Sequence, residues 1–286
     1  PLLLFPLLDL FDLKLVAASY SHPLVLLFLG GFIIASAMED SGLHKRIALK
    51  ILSFSGTSPS KIIIGFMIST AVLSMWVSNT ASTIMMLPIA TSVIAFFSSQ
   101  NNVENKNFAI PLLLSIAYAA SVGGTATLIG TPTNIMLASI LSDTYNYKIS
   151  FIDWFMIGLP VAAILIPIVW LFLTKIIFKV SSKKSDALEN TLVKMKKEIG
   201  KASITEKVVA IVFLLTATLW IFRKALNEKF SLNLNDTSIG ILGALLLFII
   251  PYGSNKRACN WETANKIPWG VLFLVGGGIA LSKAIK

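Results

Sequence analysis

The 286-residue sequence has little cysteine, little histidine and little charge. Its single cysteine, Cys259, excludes an internal disulfide and a metal cluster built from cysteines alone. Charged residues make up 13% of the chain and hydrophobic residues 55%, a balance that does not fit the surface of a soluble protein. Several apolar runs approach or exceed the roughly 18–20 residues that cross a bilayer core. The sequence therefore predicts an all-α, polytopic membrane protein.

Carboxylates are missing from the middle of these apolar runs. Acidic residues stand at the ends of runs or in loops, as at Glu39, Asp40, Asp143 and Asp153. A proton relay, an intramembrane aspartyl protease or a metal-dependent membrane hydrolase would need ionisable groups buried within the spans. We therefore expect neither an enzyme nor an organic cofactor.

The net charge of +10 is concentrated in one segment between apolar runs. Lysines crowd residues 179–207, as they do in cytoplasmic loops under the positive-inside rule. We expect this loop to be cytoplasmic and the protein to lie in a plasma membrane of the bacterial inner-membrane type. A solvated basic loop needs no nucleic acid as a partner, and none is predicted.

Two polar stretches interrupt the apolar runs. Residues 77–83 (VSNTAST) form a polar tip between two runs, which predicts either a re-entrant hairpin over residues 60–98 or an ordinary hairpin with its turn at the membrane surface. Residues 121–134 contain three glycines, a proline and four threonines, so we expect a discontinuous helix over residues 108–142 rather than a merely kinked one.

Neutral oxygen and amide groups are the polar side chains left within these segments, and they suit a monovalent cation such as sodium. The helix that follows each break also begins with unpaired N–H groups, which can hold an anion without a cationic side chain. Adjacent cation and anion sites are typical of a symporter. The neutral candidates are Ser74, Ser78, Asn79, Thr80, Ser82, Thr83, Thr125, Thr127, Thr131 and Asn134.

An internal repeat is indicated by two glycine-containing segments. Residues 28–36 (FLGGFIIAS) resemble residues 274–282 (LVGGGIALS), and the predicted loop placement gives the two segments opposite directions. Opposite directions are typical of an inverted-repeat secondary transporter. The sequence begins without Met, so we expect a fragment truncated at both ends, with a second polar-tipped hairpin beyond residue 286.

These observations divide the chain into five predicted regions. They are scaffold-side helices with an amphipathic interfacial helix at 1–58, half of a transport domain at 59–142, a connecting helix and the basic loop at 143–207, scaffold helices at 208–268, and the start of the second repeat at 269–286.

The two polar stretches also resemble motifs of a known family. Residues 74–83 (SMWVSNTAST) resemble the Ser-Asn-Thr signature of the divalent anion/sodium symporters, which are sodium-coupled dicarboxylate, citrate and sulfate carriers. Residues 123–134 (GGTATLIGTPTN) are similar to the second motif of that family, and residues 39–46 (EDSGLHKR) also fit its pattern. The sequence departs from the second motif at Ala126, where many members have glycine, and at Thr133, where many have proline.

The resemblance implies a function and assigns residues to it. It implies sodium-coupled symport of a small dicarboxylate such as succinate, by a homodimer with an elevator-type mechanism. Alternatives left open are a sulfate or citrate carrier of the same family, a sodium/proton or oxyanion exchanger, and a non-transporting membrane scaffold subunit. The implied sodium ligands are Ser74, Ser78, Asn79, Gly124, Thr125 and Ala126, and the implied substrate residues are Asn79, Thr80, Thr131 and Pro132.

Overall fold

The computed structural model describes residues 1–100, 106–183, 193–194, 197, 199–252 and 256–284. The predicted basic loop at 179–207 and the segment 269–286 therefore lie partly outside the described residues. Two compact units can be distinguished. Unit one comprises Pro1–Ser41, Thr131–Phe155 and Ile204–Lys286, and unit two comprises Gly42–Gly130 and Met156–Ser203.

Helices form almost all the regular structure of the described residues. One antiparallel pair of two-residue strands, β1 (Pro251–Tyr252) and β2 (Lys256–Arg257), is the exception. The helix Phe151–Leu171 continues into a π-helix at Phe172–Ile177. The helices are α1 (Leu4–Leu7), α2 (Leu13–Tyr20), α3 (Pro23–Ser41), α4 (Leu43–Ser55), α5 (Pro59–Ser74), α6 (Asn79–Gln100), α7 (Lys106–Gly124), α8 (Pro132–Tyr145), α9 (Phe151–Leu171), α10 (Ile204–Phe230), α11 (Asp236–Ile249), α12 (Trp261–Asn265) and α13 (Trp269–Ala284).

Among the described residues, three helical segments are long and apolar enough to cross a membrane. They are Leu13–Ser41, Phe151–Ile177 and Ile204–Phe230, with mean hydropathies of 1.8, 2.5 and 1.9. The hairpin helices α5 and α6 are shorter apolar helices, as are α7, α11 and α13. The predicted all-α class of apolar helices is confirmed, whereas the inverted repeat and the re-entrant depth of the hairpin stay predictions.

Unit one is built around the contact between α3 and α11. A Cβ atom added at Gly30 would stand 2.6 Å from the carbonyl carbon of Gly240, so the two helix backbones meet directly. Small residues at such crossings allow the close approach that stabilises helix pairs in membranes. Gly30 therefore serves close packing between α3 and α11.

A polar network joins the starts of α9 and α11 to α10 within unit one. The carboxylate of Asp236 accepts a hydrogen bond from the Phe151 N–H at 2.8 Å, and Arg223 Nε lies 3.2 Å from its other oxygen. The Trp220 indole N–H donates to the Asp236 carbonyl at 2.9 Å, and its ring stacks on Phe151 with centroids 4.7 Å apart. Because the Asp236 side chain is only 12% exposed, these partners offset only part of the cost of burying its charge.

Unit two has its own apolar core, formed by α4, α5, α6, α7 and α9, in which Phe66 and Phe108 are buried. Helix α5 begins where the sequence supplies a cap, because the Ser58 side chain accepts a hydrogen bond from the Lys61 N–H and Pro59 follows it. Helix α5 packs closely on α7, since a Cβ atom at Gly123 would collide with the backbone of Ala71. The core thus fixes the hairpin helix α5 against the helix that precedes the second polar break.

An amphipathic helix is present within residues 1–58, as predicted, and it is α4, from Leu43 to Ser55. Its buried face includes Ala48 and Leu52, and the Ala48 carbonyl accepts a hydrogen bond from the Ser69 hydroxyl of α5 at 3.1 Å. Lys45 and Lys50 are exposed. The helix therefore buries one side in unit two and leaves basic residues on the rest of its surface.

Candidate functional site

The polar tip is a turn between two helices of unit two. Helix α5 ends at Ser74, α6 begins at Asn79, and residues 75–78 are not helical. The Ser78 side chain accepts a hydrogen bond from the Ala81 N–H at 3.3 Å, which caps the first turn of α6. The N-terminus of α6 therefore lies at the tip, as the sequence predicts.

Three oxygen atoms meet beside this turn. The Ser74 hydroxyl oxygen lies 2.7 Å from the carbonyl oxygen of Ala120 and 2.8 Å from Oδ1 of Asn79. Ser74 is fully buried, and its hydroxyl has one proton, which can serve only one of these acceptors at a time. The three oxygens share this single proton and are largely buried, so they are suited to act as ligands of a cation.

Gly124 allows this group of oxygens to form. A Cβ atom at Gly124 would collide with Oδ1 of Asn79, so only a residue without a side chain lets α7 approach the amide this closely. The predicted sodium ligands Ser74, Asn79 and Gly124 are thus brought together, with Ser78 in the same turn. Their role as sodium ligands stays a prediction.

The second polar break is shorter than the sequence predicts. Helix α7 continues through Ser121 to Gly124, and α8 starts at Pro132, so the non-helical segment is residues 125–131. The Thr127 hydroxyl donates a hydrogen bond to the Met75 carbonyl of the tip. The Thr125 hydroxyl instead donates to the Val122 carbonyl at 2.7 Å. Thr127 therefore links the second break to the first within unit two.

Helix α9 closes the other side of this segment at Gly158. A Cβ atom at Gly158 would stand 2.6 Å from the carbonyl oxygen of Thr125 and 2.8 Å from that of Ala126. The backbone groups predicted as sodium ligands at Thr125 and Ala126 therefore pack against this glycine. Gly158 is not among the residues predicted from the sequence, although a glycine within a strongly apolar helix is a signal of close packing. The sequence does not indicate the carbonyl of Ala120, because every residue has a backbone carbonyl group and no side chain marks this one.

The predicted substrate residues fall in both units. Thr80 is exposed in the first turn of α6, directly after Asn79, and belongs to unit two. Thr131 and Pro132 belong to unit one, where Thr131 precedes α8 and Pro132 is its first residue. Proline at that position fits the helix start, because the N–H that it lacks would have no partner within the helix.

Asp40, Lys266 and Cys259 are ionisable groups of unit one, whereas Ser74, Ala120 and Asn79 belong to unit two. In the described ranges, no group of three or more histidine, cysteine, aspartate or glutamate residues could hold a metal ion. At the C-terminal end of α3, Asp40 accepts a hydrogen bond from Lys266 at 2.7 Å, and this carboxylate raises the pKa of Lys266. Burial raises the pKa of the Cys259 thiol to about 11, so this thiol is protonated and unreactive at neutral pH.

Comparison with known proteins decides the family. A sequence profile described as citrate transporter matches residues 1–286. The chain belongs to this transporter family. The resemblance to divalent anion/sodium symporters, first indicated by the two motifs, is thereby confirmed, and the protein is an integral membrane protein.

Two curated relatives are similar to the chain throughout. The sodium-dependent dicarboxylate transporter SdcS of Staphylococcus saprophyticus is 41% identical over 295 residues, and the protein of the same name from Staphylococcus aureus is 40% identical over 296 residues. Both alignments cover 100% of this chain and 57% of the relative, so the chain spans 57% of the length of these relatives. Because the family and these relatives are transporters, the prediction that the protein is not an enzyme is confirmed.

Proposed function

We propose that the full-length protein transports small dicarboxylates, such as succinate, by symport with sodium. The observation that carries this proposal is the largely buried group of Ser74, Ala120 and Asn79 oxygens at the hairpin tip, formed without any carboxylate. A site of neutral oxygens keeps the same charge over the physiological pH range, which favours a metal cation over a proton as the coupling ion. The names of the two curated relatives support sodium and a dicarboxylate as the pair.

The proposed sodium ligands come from the tip and from the second break. Ser74, Ser78 and Asn79 supply side-chain oxygens, and the backbone of residues 124–126 supplies carbonyl oxygens. To these we add the carbonyl of Ala120, since it lies 2.7 Å from the Ser74 hydroxyl oxygen. All of these groups are neutral, so the bound ion contributes a full positive charge at the tip.

The proposed anion site lies at the N-terminus of α6. Asn79 and Thr80 stand in its first turn, where unpaired N–H groups and the helix dipole favour a carboxylate. Thr131 and Pro132, at the start of α8 in unit one, stay proposed substrate residues on the ground of the family resemblance. A sodium ion held by Asn79 would attract the anion through its charge and would fix the shared side chain, and this double effect couples the two ligands.

The movement follows from the family resemblance and is also a proposal. Residues 59–142 would belong to a transport domain that moves as an elevator against a scaffold formed by residues 1–58 and 208–268, within a homodimer. Residues 143–207 would connect them, and residues 269–286 would begin an inverted second repeat. The protein would lie in the bacterial inner membrane with the basic loop at 179–207 in the cytoplasm.

Uptake of radiolabelled succinate by the full-length protein in liposomes tests the proposal. We expect uptake to require an inward sodium gradient. Ser74→Ala should raise the half-saturating sodium concentration by roughly tenfold or more, because a lost bond to a charged group costs about 1.5–3 kcal/mol. Uptake that is indifferent to the sodium gradient would refute sodium coupling, and no uptake of any anion would favour a non-transporting scaffold subunit.

Ser115→Ala is the matched control. Ser115 is also a fully buried serine of unit two, and its hydroxyl donates to a carbonyl at 2.7 Å, but that carbonyl belongs to Leu112 in the same helix. This variant should keep the sodium dependence of the parent protein. If both variants weakened sodium dependence equally, the effect would come from stability and not from the proposed site.

Competition among anions distinguishes the carriers within the family. Excess unlabelled succinate, citrate or sulfate is added during uptake of labelled succinate. We expect succinate to compete best, because the two curated relatives are named for dicarboxylates. Stronger competition by citrate or sulfate would assign the protein to the other substrate class.

A further inference from the structure

A cavity of about 350 Å³ lies along the outer face of α4 in unit two. Its lining residues on α4 recur at helical spacing, three, four, seven and eight positions after the first, so they form one continuous stripe of the helix. The remaining wall comes from residues 199–200, which are far away in the sequence. The lining residues are Arg46, Leu49, Lys50, Ser53, Phe54, Ile199 and Gly200.

Arg46 holds the two walls together. Its guanidinium donates hydrogen bonds to the carbonyl of Gly200 at 2.9 Å and to that of Ile199 at 3.4 Å. Helix α4 itself is anchored from behind by the hydrogen bond between the Ala48 carbonyl and the Ser69 hydroxyl. The groove is therefore built by specific contacts on both sides.

The groove combines one charged side with an apolar side. Lys50 is exposed, and none of the described residues that line the cavity is acidic. One turn further along the same stripe, the Phe54 side chain is 79% exposed, and Leu49 and Ile199 line the wall beside it. A cation next to an exposed aromatic ring is typical of an amphipathic helix in the interface of a membrane.

We propose that this groove binds an anionic phospholipid. The Lys50 ammonium would contact the phosphate of the headgroup, and an acyl chain would lie along Leu49, Phe54 and Ile199. Charge complementarity selects an anionic headgroup over a zwitterionic one. A free phosphate ion would match only the charged end and would leave the apolar side uncovered, so the groove fits a lipid better than an inorganic anion.

Tryptophan fluorescence in lipid vesicles tests the proposal. The full-length Phe54→Trp variant is reconstituted in phosphatidylcholine vesicles that contain an increasing fraction of phosphatidylglycerol with brominated acyl chains. The parent protein, treated identically, gives the signal of the native tryptophans to be subtracted. We expect brominated phosphatidylglycerol to quench the new tryptophan at about fivefold lower mole fraction than brominated phosphatidylcholine, as one basic side chain at a membrane surface should achieve. Equal quenching by the two lipids would overturn the proposal.

Variants of two lysines on α4 distinguish a specific lipid site from a general attraction of anionic lipids to the basic helix. Lys50→Gln should remove most of the preference for phosphatidylglycerol, whereas Lys45→Gln removes the same charge from a residue that does not line the cavity and should retain the preference. Equal losses in both variants would contradict the proposed site. So would displacement of the lipid by inorganic phosphate, which would show recognition of the headgroup alone. If Phe54→Trp lowers stability, Ser53→Trp on the same stripe replaces it as the reporter.

Discussion

Gly158 offers a sharp test of how the second break is held. Gly158→Ala places a methyl group 2.6 Å from the Thr125 carbonyl oxygen and 2.8 Å from that of Ala126, whereas ordinary contacts begin near 3.4 Å. The backbone of the break or of α9 must therefore move by about 0.8 Å. Overpacking of this kind typically costs about 1–3 kcal/mol, and a glycine-to-alanine change in a helix returns at most about 1 kcal/mol. Because the atoms that the methyl group meets are backbone atoms, we place the overpacking cost near its upper end and expect a net loss of about 2 kcal/mol.

Thermal unfolding of the purified full-length protein measures this loss, and a sodium titration of succinate uptake measures its effect on the site. Gly270→Ala is the control, because a Cβ atom there meets nothing within 4 Å. We expect Gly158→Ala to unfold at lower temperature and to need more sodium, and Gly270→Ala to match the parent in both measurements. A Gly158→Ala protein with unchanged stability and sodium dependence would refute the claim that α9 positions these carbonyls.

Three further predictions concern single contacts. Thr127→Val removes the hydroxyl that joins the second break to the tip, and the unsatisfied carbonyl should cost about 1–3 kcal/mol in thermal unfolding; an unchanged Tm would contradict this link. Asp236→Ala leaves Arg223 without its partner in a little-exposed site and should cost about 3–5 kcal/mol by the same assay, and a loss below about 1 kcal/mol would show that the network is dispensable. The contact with Asp40 raises the pKa of Lys266, so its stabilisation is complete below the ordinary lysine pKa of about 10.4 and is lost as pH rises through the raised value. Stability of the parent should therefore fall more steeply than that of Lys266→Met in strongly alkaline buffer, and parallel pH profiles would refute the coupling.

The sequence indicated the two polar stretches because their residue types are costly in an apolar surrounding. Ser74, Asn79 and Gly124 could be singled out in this way, and the structure brings them together. The carbonyl of Ala120 could not, since a backbone group adopts its role only through the packing of two helices. Side-chain ligands can therefore be predicted from residue types, whereas backbone ligands can be identified only from the fold.

The start of the second break shows how the glycine signal can mislead. The pair Gly123 and Gly124 suggested an unwound segment, yet α7 continues through both of them. Gly123 faces the backbone of Ala71 and Gly124 faces the amide of Asn79, so each glycine serves close approach between elements. A glycine in an apolar helix can indicate either an unwound backbone or close contact with another element. Only the atoms around the glycine show which of the two applies.

The contacts between tip and break give the proposed coupling a physical basis. The Ser74 hydroxyl reaches α7 at Ala120, and the Thr127 hydroxyl returns to the tip at Met75, so the two segments are tied at two points within unit two. An ion that binds oxygens of both segments stabilises the arrangement in which the N-terminus of α6 is held in place. A carboxylate bound at that N-terminus must stabilise the ion by the same free energy, since coupling between two ligands is reciprocal. We therefore expect succinate to increase sodium affinity by the same factor by which sodium increases succinate affinity.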